Sequence, residues 1–445
     1  MALAYKSPGV YVEEIDRGTK PIEAVGTSIA AFIGITAEAS YKKLDPDTGK
    51  RIQDPDQETR LNKATLITNW TQFADIFGEF VPGAYLPDAV YNYFANGGGP
   101  CYVTSLRAVN ESQPAKPSRR NKAAAAAADA EAPADSTPAP SGLTALTMDE
   151  IVGDAAARTG LGGLEALDDI RLVVCPDVMV GYDDSDDAKG RIKMVQQKLI
   201  DHCKLMKYRF AVLDTPPHLN AQQAKEWREF LNFDSDYAAL YYPWLVVPDL
   251  GGSSSTKTVP PSGHMLGIYN RSDSERGVHK APANEVVSNA VGVEFNISKG
   301  EQDVLNPIGV NCIRAFPGRG IRIWGARTLS SNAAWRYVNV RRLFITVEAS
   351  MDIGLQWVVF EPNDSTLWAK VRRDVTAFLR GVWRSGALFG NTPEQAFYVK
   401  CDEELNPPEV RDLGQLIIEV GMCPTKPAEF VIFRITQWAG LDAEA

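Results

Sequence analysis

Ile170-Arg-Leu-Val-Val-Cys175, closed by Pro176, is a short apolar run of the kind that forms a strand buried on both faces. The segments downstream of it decide the fold. From Arg191 to Met206 the residues Ile192, Val195, Leu199, Cys203 and Met206 recur every three or four positions, which places them on one face of a helix. Phe210-Ala-Val-Leu213 is the next strand, Ala221 to Leu231 the next helix, and Ala238 to Val247, ended by Pro248, a further strand. Alternation at these lengths predicts an α/β layer around a largely parallel sheet.

Upstream, Asn96-Gly-Gly-Gly-Pro100 reads as a turn leading into a strand from Cys101 to Leu106. Between this strand and the α/β region lies Asn110 to Ser141, which contains no Leu, Ile, Val, Met or aromatic residue. Such a stretch has too little apolar surface to offset its ordering entropy, so it is expected as an exposed insertion. Downstream of about Asn306, strand and helix mix. Asn363 or Asp364 is placed to cap a helix running to about Arg384, with Gly386 to end it. Leu367, Trp368, Val371, Val375, Phe378, Leu379, Val382 and Trp383 share one half of that helix, and Lys370, Arg373, Arg380 and Arg384 the other.

Both ends carry β-prone runs without an obvious partner. Gly9-Val-Tyr-Val-Glu-Glu-Ile15 is one, and Phe430-Val-Ile-Phe-Arg-Ile-Thr-Gln-Trp438 the other. Either they pair inside their own subunit, or they leave it and complete a neighbour's sheet by strand addition.

The 445 residues are enough for two or three cores, and 44% apolar content is that of an ordinary globular chain. A net charge of −10 argues against general nucleic-acid binding. Six scattered cysteines with no C-x-x-C pair argue against zinc ribbons and redox dithiols. No signal peptide and no long apolar span is visible, so the chain is expected in a reducing cytoplasm without membrane insertion.

The search for chemistry returns little. Phe316-Pro-Gly-Arg-Gly320 lacks the frames of phosphate loops and reads as a strand-to-strand turn. His202, His218, His264 and His279 have no metal-ligand spacing, Ser262 in Pro260-Pro-Ser-Gly-His264 reads as a turn residue, and Asp183-Asp-Ser-Asp-Asp187 as a solvated loop. No catalytic, cofactor or metal site is expected. One charge feature stands out: Arg314 to Arg384 holds twelve Lys or Arg against five Asp or Glu, a net +7, which leaves −17 elsewhere. Arginine suits two-pronged pairing with carboxylates, so this segment is either a solvated face or a docking surface for an acidic protein.

Several ordered segments resemble the contractile phage tail sheath family. They are Ser7-Pro-Gly-Val-Tyr-Val-Glu-Glu14, Val259-Pro-Pro-Ser-Gly263, Asp273-Ser-Glu-Arg-Gly-Val-His-Lys-Ala-Pro-Ala-Asn284 and Leu305-Asn-Pro-Ile-Gly-Val-Asn-Cys-Ile-Arg314. Trp324-Gly-Ala-Arg-Thr-Leu329, Trp335-Arg-Tyr-Val-Asn-Val-Arg-Arg342 and Trp357-Val-Val-Phe-Glu-Pro-Asn363 continue the series.

The resemblance implies a structural subunit, not an enzyme. Such subunits stack as six-membered rings around an inner tube, and the cylinder contracts to drive the tube through a target envelope. Its partners would be further copies of itself, the tube protein, and baseplate and terminator or cap proteins. Assembly would take place in a bacterial cytoplasm, as part of a phage tail or tail-like particle. The expected division is an N-terminal arm (1–20), a first body part (21–109), the low-complexity insertion (110–141), which departs from the family pattern, an α/β sheath domain (142–300), a tube-facing C-terminal domain (301–422) and a C-terminal arm (423–445). Val10, Tyr11, Val12 and Glu13, with Phe430, Val431, Ile432, Phe433, Arg434 and Ile435, would form the exchanged strands, hinged at Arg17 to Pro21 and Cys423 to Pro427. By charge and helical phase, Arg341, Arg342, Arg373, Arg380 and Arg384 are the residues expected to face acidic residues of the tube. A baseplate or cap protein on the same fold is the nearest alternative, and a soluble α/β enzyme a more distant one.

Overall fold

The structure, a computed structural model, describes residues 22–44, 51–53, 58–110, 143–252 and 254–434. Its main element is an eight-stranded sheet. In chain order the strands are β1 (Ala30–Thr36), β2 (Thr65–Ile67), β3 (Cys101–Ala108), β4 (Leu172–Val174), β5 (Phe210–Asp214), β6 (Ala238–Tyr242), β7 (Val310–Phe316) and β8 (Gly320–Ile323). Across the sheet they lie in the order β8-β7-β6-β5-β4-β1-β3-β2. The six strands from β7 to β3 run parallel, and β8 and β2 close the edges antiparallel.

Neighbouring residues along each central strand feed opposite cores. Ala31, Ile33, Ile35, Val173, Ala211, Leu213 and Leu240 enter one; Ala30, Phe32, Leu172, Val174, Phe210, Val212 and Tyr241 enter the other. Both faces are covered, which is why these strands read as unbroken apolar runs without polar alternation. The central strand β1 is not among the predicted ones, although Ile29 to Ile35 is as apolar as the run that led to β4.

The helices used below are α1 (Leu86–Ala95), α2 (Asp186–Met206), α3 (Ala221–Leu231), α4 (Ser262–Arg276), α5 (Val338–Gly354) and α6 (Ser365–Arg384). α2 and α3 cover one face of the sheet through Ile192, Val195, Leu199, Ala224 and Trp227. α1 and α4 cover the other through Leu86, Val90, Tyr93, Met265, Ile268 and Tyr269.

Three local expectations change. α2 starts five residues early, because Ser185 of the supposed loop accepts from the Ala188 N–H and caps the helix, with Asp186 and Asp187 in the first turn. The run from Ala238 is two strands in different sheets, since Pro243 has no N–H to donate and the chain resumes as Leu245–Pro248 in a small antiparallel sheet. Ser262 opens α4 and is not a turn residue; its N–H donates to Asp214 Oδ1 at 2.9 Å. The turn at Phe316 to Gly320 is the expected hairpin, with Gly318 and Gly320 at φ +70° and +74°.

The described chain forms two compact units. The first is built on residues 25–348, carries the eight-stranded sheet and takes up the chain again from Pro424. The second holds residues 349–423 with residues 22–24. Residues 301–348, expected in the C-terminal domain, thus belong to the first unit, where β7 and β8 pair at the edge of the main sheet.

Candidate assembly surfaces

From Thr425 to Arg434 the chain forms no helix or strand. Phe430, Val431, Ile432 and Phe433 stand 71%, 71%, 79% and 83% exposed. Four consecutive apolar side chains left in water are surface suited to a partner. Ile435 and the N-terminal residues Val10, Tyr11, Val12 and Glu13 lie outside the described residues.

Within the second unit, β9 (Phe397–Lys400) and β10 (Glu419–Met422) pair antiparallel, Phe397 opposite Met422 and Lys400 opposite Glu419. Among the described residues this sheet has only these two strands, so each strand has one edge without a strand neighbour there. Two strands alone are marginally stable in water and gain from further strands.

α6 belongs to the same unit. Asp364 caps it by accepting from the Leu367 N–H at 2.8 Å, and Leu367, Trp368, Val371, Val375 and Leu379 form its buried face. Lys370, Arg373, Arg380 and Arg384 recur at spacings of three, seven and four on the opposite face and are exposed. An open groove of about 500 Å³ runs beside them, lined by Ala369, Arg372, Arg373, Thr376, Ala377, Arg380 and Val399. Arg372 turns inward onto the Cys401 carbonyl, and Arg373 Nε meets Asp374 Oδ1 at 2.9 Å. Lys370, Arg380 and Arg384, with Arg373 still half-exposed despite that contact, form a positive stripe suited to acidic side chains.

Arg341 and Arg342 do not join that stripe. Both are buried in the first unit, 5% and 2% exposed. Arg341 lies between the rings of Tyr237 and Trp335, 4.6 and 4.7 Å from their centroids, and pairs with Glu348 and Asp236. Arg342 pairs with Asp273 and donates to the Thr27 carbonyl. Neither guanidinium is available to a tube protein, because each is already consumed by carboxylates of its own chain.

The enzyme alternative meets a physical obstacle. In a doubly wound sheet ligands enter at the carboxyl ends of the strands where the winding reverses, here between β1 and β4. That position is filled by the side chain of Asp177, which is fully buried. Its Oδ2 accepts from Ile35 N at 2.5 Å, and its Oδ1 from the N–H groups of Tyr85 and Leu86. Gly34 allows this approach: a Cβ there would stand 2.2 Å from Asp177 Oδ2. Burial pushes the Asp177 carboxyl up to about 7 against the pull of those three donors. The chain thus fills with its own carboxylate the place where a substrate would bind. Among the described residues no His, Cys, Asp or Glu cluster is arranged to hold a metal ion, and no helix is long and apolar enough to cross a membrane.

A sealed central sheet, an open small sheet, a cationic helix face and an apolar tail together define a protein whose surfaces serve other protein chains. The chain belongs to the phage tail sheath family. Residues 156–329 match the family model for the phage tail sheath protein central domain, and residues 330–437 that for the phage tail sheath C-terminal domain. It is 25% identical over 439 residues to the tail sheath protein of Escherichia phage P2, covering 96% of this chain and 94% of that one. Likeness to the tail sheath protein of Vibrio phage KVP40 is 26% over 177 residues and spans only 26% of that longer protein. Among solved structures, the helical sheath of the anti-feeding prophage in its contracted state matches with a TM-score of 0.67 at 27% identity, covering 98% of this chain and 100% of that chain. The contracted sheath complex of the extracellular contractile injection system PVC matches with a TM-score of 0.66 at 27% identity, over 98% and 99%. The protein is a structural subunit of a contractile tail sheath, part of a phage tail or tail-like particle.

Proposed function

We propose that this subunit polymerises as stacked six-membered rings around an inner tube, joined to its neighbours by exchanged strands at both termini. It assembles in the bacterial cytoplasm between a baseplate and a terminator or cap, and contracts to drive the tube through a target envelope. The exposure of Phe430 to Phe433 carries this reading. The natural acceptors are the open edges of β9 and β10 on another copy, where backbone bonds supply affinity and the alternating apolar side chains supply register. Such ties survive rigid-body rotation of the bodies during contraction.

For the tube contact we propose Arg373, Arg380 and Arg384 with Lys370, leaving out Arg341 and Arg342. A cationic helix face meeting acidic tube residues steers assembly and gives it a salt dependence. The test is negative-stain microscopy of recombinant full-length chain beside a variant lacking residues 1–15. Tubes from the full chain and their loss from the variant are expected. Discrete single rings from the full chain would favour a baseplate or cap role, and intact contracting cylinders from the variant would rule out exchange of the N-terminal arm.

A further inference from the structure

We propose that Glu429 is the anchor through which the C-terminal arm pulls on the central sheet, so that an arm following the second unit in sequence is tied mechanically to the first. This rests on the reading of Phe430 onward as an exchanged arm.

The Glu429 carboxylate sits in a cradle of four donors from three side chains. Its Oε1 accepts from Arg327 Nε at 2.8 Å and Asn306 Nδ2 at 2.7 Å. Its Oε2 accepts from Arg327 Nη2 at 2.7 Å and the Tyr337 hydroxyl at 2.9 Å. The pair is largely out of water, with 10% and 17% side-chain exposure. Burial pushes the Glu429 carboxyl up, but the bonds from Arg327, Asn306 and Tyr337 together outweigh it and hold the group below the usual range. It therefore stays ionised wherever the protein is folded at neutral pH.

Arg327 is itself pinned to the main sheet. Its N–H donates to Asn311 Oδ1 at 2.7 Å, and its carbonyl accepts from Asn311 Nδ2 at 2.7 Å. Asn311 lies fully buried on β7, and its Nδ2 also donates to the Leu240 carbonyl of β6 at 3.2 Å. A continuous polar path thus runs from Glu429 into the interior of the parallel sheet. A second tie lies upstream, where Asn339 Nδ2 donates to the Thr425 carbonyl at 3.3 Å. The stretch expected to hinge, Cys423 to Pro427, is therefore flanked by bonds to the first unit, and beyond the anchor Phe430 to Phe433 stand exposed. One side of Glu429 is bonded on every oxygen lone pair and the other is exposed chain, so tension applied to the arm meets its first resistance at this carboxylate.

The test compares the full chain with Glu429→Gln, which keeps the shape and removes the charge, with Tyr337→Phe, which removes one donor and leaves the charge, and with a deletion of residues 430–445. Two quantities are read: hydrogen exchange of the backbone amides of Thr425, Lys426, Ala428 and Glu429 in soluble chain, and the urea concentration at which assembled sheaths break up. Exchange should rise at least tenfold in Glu429→Gln and by a smaller factor in Tyr337→Phe. The sheaths of both should break at lower urea in the same order, while the deletion should abolish sheaths. Parent-like exchange and parent-like sheaths in Glu429→Gln, alongside loss of sheaths in the deletion, would overturn the anchor alone. If Glu429→Gln does not fold, parent-like behaviour of Tyr337→Phe overturns it. Normal sheaths from the deletion would overturn the arm reading and the anchor with it.

Discussion

Arg342 and Asp273 form a two-pronged ion pair in the interior of the first unit, joining α5 to α4 with side-chain exposures of 3% and 4%. Nη2 lies 2.5 Å from Oδ2 and Nη1 3.0 Å from Oδ1, while the guanidinium sits 4.7 Å from the centroid of the Tyr269 ring. Removing one partner strands a buried charge, so Arg342→Ala should destabilise the chain by about 3–5 kcal/mol in urea unfolding. Replacing both partners, Arg342→Met with Asp273→Leu, should recover most of that loss. A single variant with parent stability but defective tube binding would return Arg342 to the tube surface.

The exposed stripe on α6 should behave oppositely. Arg380→Glu with Arg384→Glu changes solvated side chains, and unfolding free energy should stay within about 0.5 kcal/mol per site. Co-assembly with tube protein into extended particles should fail, and raising salt should weaken the parent's assembly in the same direction. Full-length extended particles from the double variant would remove α6 from the tube contact.

The difference between these two sets of arginines shows what was legible in the sequence. The parallel sheet was visible because strands buried on both faces leave unbroken apolar runs, and α6 because its cap and half-circumference of apolar residues are local signals. The +7 segment misled because a charge count ignores partners: Arg314, Arg322, Arg327, Arg341, Arg342 and Arg372 all turn onto carbonyls or carboxylates of their own chain. A signal existed in α5, where Val338, Val340, Leu343, Ile345 and Val347 surround the helix with apolar residues. Charges on a helix that is apolar nearly all round must be paired inside. Glu429 carried no such signal, since its cradle comes from Asn306, Arg327 and Tyr337, about a hundred residues away.

Acidity should also tune the stability of the sheet. Asp214, at the carboxyl end of β5, is buried and accepts from Ser262 N, and burial pushes its carboxyl up to about 7. Its folded pKa thus exceeds the unfolded value of about 3.9. The folded state keeps a proton that the unfolded chain releases, so this stabilising contribution is full below about pH 4 and is lost as pH rises through 7. Between pH 5 and 8 the parent should lose melting temperature relative to Asp214→Asn, which cannot ionise; His202 and His264, pushed down to about 3 by burial, add the opposite slope below about pH 6.5 to both chains alike. Asp177, raised to about 7, and Asp88, raised to about 6, leave a residual slope in that variant. Identical slopes in parent and variant would contradict the assignment.

The insertion from Asn110 to Ser141 should be removable. Residues 111–142 lie outside the described chain, but both of its flanks are held. On the near side, Val109 N donates to the Thr36 carbonyl at 3.0 Å and Asn110 N to the Ala37 carbonyl at 2.8 Å, extending the β3–β1 pairing. On the far side, Arg107 Nη1 donates to the Thr144 carbonyl at 2.9 Å, and Arg107 Nη2 meets both oxygens of Glu150 at 2.7 and 2.9 Å. Glu150 in turn closes a capping box with Thr147 at the start of the helix Met148–Val152. One arginine at the end of β3 therefore holds the returning chain beside the departing one, which favours replacing the insertion by a short bridge of Gly and Ser. Loop-closure entropy falls slowly with length, so replacing the insertion by such a bridge should raise stability by no more than about 1–2 kcal/mol. Sheath formation should persist. Arg107→Ala with the insertion intact should destabilise instead, because it releases the far flank. A bridged chain that fails to fold while Arg107→Ala remains stable would show that the insertion, and not the clamp, organises this part of the body.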